Sequence, residues 1–190
     1  MADSLQAIFF DIDDTLFSTT GFAEKARRAS IARMVEMGLR VPEEFAYREL
    51  LEVISEFSSN YGAHYNKLLS RMPREALAGT HPSLLVAGAV IAYHETKFRE
   101  LSAYEDVTEA LRLIHAKTDL RLGSISSGLR IKQAEKIVRT GVWRYVDPRG
   151  IFITDEVGIG KPNPKLYWRA CAALDAEPTR VMNVGDHPVQ

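Results

Sequence analysis

An apolar run, Ala7 to Phe10, leads straight into three carboxylates, Asp11, Asp13 and Asp14, followed by Thr15 and Leu16. A short continuous apolar run of this kind reads as a strand buried on both faces, as at the centre of a parallel sheet. Like charges clustered at the end of a buried strand are costly unless a cation or a proton compensates them. The chain is therefore expected to carry a carboxylate site at a strand's C-terminal end, holding a metal. Asp11 and Asp13, two apart on an extended strand, are expected on one face of it. There they can serve as nucleophile, general acid–base or hard-cation ligands. A solvated acidic turn is the competing reading of this cluster by itself.

Strand signals fall at Ala7–Ile12, Leu120–Ser126, Ile151–Thr154 and Val181–Val184. Helical patterns separate them, which predicts an α/β fold with a parallel sheet. Tyr104–Lys117 has Val107, Leu111 and Ile114 at helical spacing, and Leu129–Thr140 is closed by Gly141. Asn163 and Pro164 read as the cap and first residue of a helix running through Leu174. Asp11 and Ser126 are 115 positions apart, whereas a strand–helix–strand crossover takes about 30 residues. The surplus, Phe17 to Ala103, reads as a helical insertion with helices at Gly21–Leu39, Pro42–Ser58, Tyr65–Met72 and Ser83–Leu101. Residues 1–16 and 104–190 are thus expected to form a discontinuous sheet domain, and 17–103 an inserted helical module able to cover the site and exclude water.

Three further polar clusters sit at or just beyond strand ends. Ser126, Ser127 and Gly128 put a hydroxyl and backbone N–H groups at a strand-to-helix turn, which suits a phosphate oxygen. Lys161 lies between two glycines and two prolines, where its ammonium can offset carboxylate repulsion and bind a phosphoryl oxygen. Asp186 follows the fourth strand; if that strand neighbours the first, Asp186 faces Asp11. Singly, these also read as a capped helix start, a solvated loop lysine and a turn acid. Together they occupy the C-terminal ends of strands in one parallel sheet, where such folds bind ligands.

Net charge is −1, so no basic excess points to nucleic acid or an anionic membrane as partner. A lone cysteine, Cys171, excludes an intrachain disulfide and fits a reducing, cytoplasmic setting. Met1–Ser4 lack the basic region of a signal peptide. The longest apolar run, Leu84–Tyr93, is too short to span a bilayer. His64, Tyr65, His94, His115 and His187 are expected in packing, solvent or loop roles, and Trp143, Tyr167 and Trp168 in the core or at its edge.

In order and spacing, Asp11-Ile12-Asp13-Asp14-Thr15, Ser126, Gly160-Lys161-Pro162 and Gly185-Asp186 resemble the four motifs of the haloacid dehalogenase superfamily, most members of which are Mg2+-dependent phosphatases. The resemblance implies a three-layer Rossmann-like core with an inserted helical type 1 cap. It implies that Asp11 is the nucleophile, forming an aspartyl-phosphate, and that Asp13 is the general acid and then the base. It places Mg2+ on the Asp11 carboxylate, the Asp13 backbone carbonyl and Asp186. Ser126, Ser127 and Lys161, with the N–H groups of Ile12, Asp13 and Ser127, are expected to hold the phosphoryl oxygens of a small phosphorylated metabolite. Dehalogenating and phosphonate-cleaving members lack an acid at position 13, so phosphate ester hydrolysis is favoured, with phosphoryl transfer to a sugar still open. A regulatory aspartyl-phosphate switch and an inactive binding module are the readings from other classes. Two departures stand out. Asp14 replaces the more usual Gly, with its side chain expected to point away or bond locally. The second acid of the fourth motif, with its following helix and strand, falls past Gln190, so a shortened chain with an exposed sheet edge and reduced activity is expected.

Overall fold

The computed structural model describes residues 4–187; Met1–Asp3, the start of the segment without a signal-peptide pattern, lie outside the described residues. The chain divides into two compact units, Met1–Thr19 with Leu101–Gln190, and Thr20–Glu100.

The first unit is built on four parallel strands: β1 (Ala7–Phe10), β2 (Arg121–Ser126), β3 (Ile151–Ile153) and β4 (Val181–Val184), in the order β3-β2-β1-β4. β1 is paired on both sides, Phe10 lying opposite Ser124 on β2 and Val184 on β4. This explains its unbroken apolar character, since neither face nor edge meets water. Strand alternation then sorts the side chains. Ile8 and Leu122 pack with Leu111 of the helix Glu105–Lys117 and Ile137 of the helix Arg130–Arg139. Ala7, Phe9 and Ile125 pack on the other side with Leu166, Ala170 and Cys171 of the helix Pro164–Ala173. Helices on both faces of a parallel sheet make this a Rossmann-like α/β fold.

Local signals act where the sequence places them. Asn163 accepts a hydrogen bond from the Lys165 backbone N–H at 3.0 Å and Pro164 opens the helix. Gly141, at φ 74°, ends the helix of residues 130–139 in the left-handed region. Differences have local causes. β1 stops at Phe10 rather than Ile12, because the chain turns at the carboxylates. Thr154 is not the end of β3 but opens a single helical turn, Thr154–Val157. Trp143 and Trp168 are 50% and 59% exposed, not core residues. Trp168 stands off the buried stripe of Leu166 and Ala170, and in the short turn Val142–Arg144 it is Val142 that is buried.

The second unit is helical: α1 (Thr19–Glu36, its first residue lying in the sheet unit), α2 (Glu43–Phe57), α3 (His64–Arg71) and α4 (Pro82–Glu100). In chain order the helices of the sheet unit are then α5 (Glu105–Lys117), α6 (Arg130–Arg139), α7 (Thr154–Val157) and α8 (Pro164–Ala173). Ile31, Met34, Leu50, Leu68 and Leu85 form the helical unit's core. A polar knot ties three of its helices. The buried Ser30 hydroxyl lies 2.9 Å from both the Ala26 and Ala89 carbonyls, and accepts a 2.7 Å hydrogen bond from Tyr65. Among the described residues no helix is long and apolar enough to cross a membrane.

Two outcomes test this packing. A Cβ on Gly123 would stand 2.4 Å from the Phe9 ring and 2.7 Å from the Gly150 carbonyl. Gly123→Ala is expected to destabilise the sheet unit by about 2 kcal/mol, read by chemical denaturation. Burial pushes the Tyr65 phenol up to about 12, whereas an unfolded chain releases that proton near pH 10. This contribution to stability is therefore complete below pH 10 and lost as the pH rises toward 12. Melting curves across that range should fall less steeply for Tyr65→Phe than for the wild type; parallel falls would refute the assignment.

Candidate active site

The carboxyl ends of all four strands lie on one side of the sheet, and the clusters expected from sequence follow them. The Asp11 N–H donates to the Val184 carbonyl at 2.8 Å, extending the β1–β4 pairing by one bond. Asp11 is 6% exposed. Its Oδ1 lies 3.0 Å from Lys161 Nζ, the two side chains each 9% exposed, and accepts the Ile12 N–H at 2.8 Å. A residue from the loop between α7 and α8 thus neutralises the charge that ends the central strand. Ion pairs this deep survive only with good geometry and further hydrogen bonds. Burial, and then the negative charge of Asp11, hold the Tyr167 phenol above its ordinary value, so this α8 side chain lies within electrostatic reach of the pair.

Ser126 closes β2 fully buried, and among the described residues its hydroxyl has no hydrogen-bond partner; the buried hydroxyl oxygens of Ser124 and of the partly buried Thr15 likewise have none. An unmet buried hydroxyl costs roughly 1–3 kcal/mol, which a ligand oxygen can recover. Gly128 follows at φ 135°. Its N–H donates to Thr154 Oγ1 at 3.2 Å, and the Arg130 N–H at the start of α6 donates to Asp155 Oδ2 at 2.9 Å. The turn α7, just past β3, therefore anchors the loop that follows β2. Asp186, exposed, comes two residues after Val184, at the same end of the sheet as Asp11.

Asp13 lies past the end of β1, so strand alternation does not fix where its carboxylate points. β1 has already ended, Asp14 adopts φ 52°, and Asp13 forms an isolated bridge with Phe17. A short acidic side chain tolerates this left-handed conformation better than most, which accounts for Asp where Gly is more usual. The carboxylate of Asp13 has its own partners: Thr19 Oγ1 at 2.6 Å and Lys136 Nζ at 2.5 Å on Oδ1, and Gln133 Nε2 at 3.1 Å on Oδ2. Thr19, Gln133 and Lys136 do not figure in the sequence-based site. The signal was there: Gln133 and Lys136 are three apart on the helix that begins just after the Ser-Ser-Gly turn, so they share a face and lean back toward that turn. The N–H of Ile12, expected to serve a phosphoryl oxygen, is taken by Asp11.

The Asp11 carboxylate, the Asp13 carbonyl and Asp186 are hard oxygens at this end of the sheet that could hold a metal. That set fits Mg2+, which binds through one or two carboxylates and keeps several waters. Among the described residues no three His, Cys, Asp or Glu side chains cluster to form a closed cage.

Lys161→Met, measured without divalent metal, is expected to cost roughly 3 kcal/mol by leaving Asp11 buried and uncompensated. Asp11→Asn in that background should restore part of the loss; a fully additive double mutant would contradict the coupling.

Comparison with known proteins identifies the family of the chain. Residues 5–189 match the haloacid dehalogenase-like hydrolase family. The glyceraldehyde 3-phosphate phosphatase of Methanopyrus kandleri is 40% identical over 185 residues, covering 96% of this chain and 76% of that protein. The enzyme of the same name from Methanothermobacter thermautotrophicus is 40% identical over 182 residues, covering 96% and 77%. The chain thus spans about three quarters of the length of these relatives. A HAD phosphatase from Thermococcus onnurineus shares the fold, with a TM-score of 0.62 at 21% identity, over 98% of this chain and 79% of that one. The chain therefore belongs to the haloacid dehalogenase-like hydrolase family.

Proposed function

We propose that this protein hydrolyses a small phosphomonoester through an aspartyl-phosphate on Asp11, with Mg2+ as cofactor. The observation that carries the reading is the buried Asp11–Lys161 pair at the end of the central strand. A carboxylate attacks a phosphate dianion poorly, because both are negative. A fixed ammonium beside the attacking group offsets that repulsion and stabilises charge in the transition state. Asp11, the Asp13 carbonyl and Asp186 would hold the Mg2+, which when bound would supply further positive charge there.

In the first step an Asp11 carboxylate oxygen bonds to phosphorus while the bond from phosphorus to the ester oxygen breaks. Asp13 gives its proton to that departing oxygen. In the second, water attacks phosphorus, the bond from phosphorus to Asp11 breaks, and Asp13 takes the proton from water. An alcohol and phosphate leave, and both aspartates return to their starting states. Ser126 and Lys161 hold the non-bridging oxygens, helped by the backbone N–H of Ser127. The choice of substrate is assigned to the inserted helical unit, here taken as residues 17–103. The relatives' name makes a three-carbon phosphorylated aldehyde the first metabolite to try.

Hydrolysis of p-nitrophenyl phosphate with Mg2+ is the direct test. Turnover should disappear with EDTA and in Asp11→Asn. Undiminished turnover in Asp11→Asn, or a stable phosphoenzyme that never hydrolyses, would overturn the mechanism.

A further inference from the structure

The mechanism above gives Asp13 two proton transfers to different oxygens, so the direction of its carboxyl group matters as much as its chemistry. Asp13 is 29% exposed in its side chain, enough for water alone to solvate it, yet it is held by three protein donors. Two come from one face of α6. Lys136, 13% exposed, reaches Oδ1 at 2.5 Å, and the same ammonium stands 5.8 Å from the Phe17 ring. Gln133, 4% exposed, reaches Oδ2 at 3.1 Å and also donates to the Ser127 carbonyl at 2.8 Å, so both protons of its amide are used. The amide is seated on Gly128, where an added Cβ would stand 2.5 Å from Nε2. The loop after Ser126 and the carboxyl group of Asp13 are thus spanned by one buried amide. Ordering a lysine and a glutamine side chain costs conformational entropy, and a charge-assisted bond holds the chosen geometry. The carboxylate of Asp11 meets a different lysine and its neighbour's N–H.

We propose that Lys136 and Gln133 are positioning residues that aim the carboxyl group of Asp13 at the leaving oxygen, and that neither binds the substrate phosphate. The inference rests on the reading of Asp13 as general acid and base. An acid held within a fraction of an ångström of its target is what converts proton transfer into a rate gain. General acid–base catalysis supplies about 10²–10⁴-fold, and misaiming forfeits part of that gain only where the leaving group needs a proton.

The test is a leaving-group series read as kcat/KM, which reports steps through transfer to Asp11. It runs from dinitrophenyl phosphate, whose phenolate departs unprotonated, to an alkyl phosphate such as glycerol phosphate. Lys136→Met should lose about tenfold or more on the alkyl ester and little on the dinitrophenyl ester, with the inhibition constant of inorganic phosphate unchanged. Gln133→Leu should shift in the same direction, and Lys136→Arg should recover part of the loss. An equal loss across the series, or weaker phosphate inhibition with no leaving-group dependence, overturns the proposal. If Lys136→Met does not fold, Gln133→Leu and Lys136→Arg decide by the same comparison. Asp13→Asn is run beside them. Should that variant itself show no leaving-group dependence, the acid role falls and this inference with it. Should Asp13→Asn show the dependence and the α6 variants not, only the positioning role is wrong.

Discussion

The central strand is hydrogen-bonded on both edges and packed on both faces, and this constraint governs everything built at its end. A strand so enclosed has no route to solvent until it leaves the sheet, so the first residue past Phe10 is still buried. That residue is Asp11, 6% exposed. Its charge must be answered by another part of the chain, and the loop ahead of α8 brings Lys161 to within 3.0 Å. The pair is thus a product of sheet topology: β1 in the middle forces the acid inward, and the crossover from β3 to β4 carries the lysine over the same end.

Much of this is legible in the residues. Ala7–Phe10 announces a central strand because nothing polar interrupts it. The long gap between Asp11 and Ser126 announces a separate helical unit because no crossover needs that length. Asn163 and Pro164 mark the start of α8 through simple backbone chemistry, and the structure shows both acting as cap and first residue. These signals are local, or depend only on separation along the chain.

What escapes the sequence is side-chain direction where regular structure ends. Alternation holds only while the strand continues, and Asp13 lies past its end. Once Asp14 turns into the left-handed region, Asp13 is delivered to α6. Its partners Gln133 and Lys136 are 120 and 123 residues away, and spacing within a helix says which residues share a face but not what that face meets. The two tryptophans mislead for a related reason: size and apolarity favour burial, but Trp168 occupies a position on α8 that the helical turn directs outward.

The way β3 fastens the loop after β2 has a mechanical consequence. Thr154 and Asp155 take the N–H groups of Gly128 and Arg130, so the origin of α6 is pinned to the turn α7 that directly follows β3, a three-residue strand at the rim of the sheet. From that origin the helix carries Gln133 and Lys136 to Asp13. α7 also leads into the loop that carries Lys161, so a slip of the rim strand would reach the α6 donors to Asp13 and the ammonium beside Asp11 together. One short rim strand thus sets the footing of the groups that hold both aspartates.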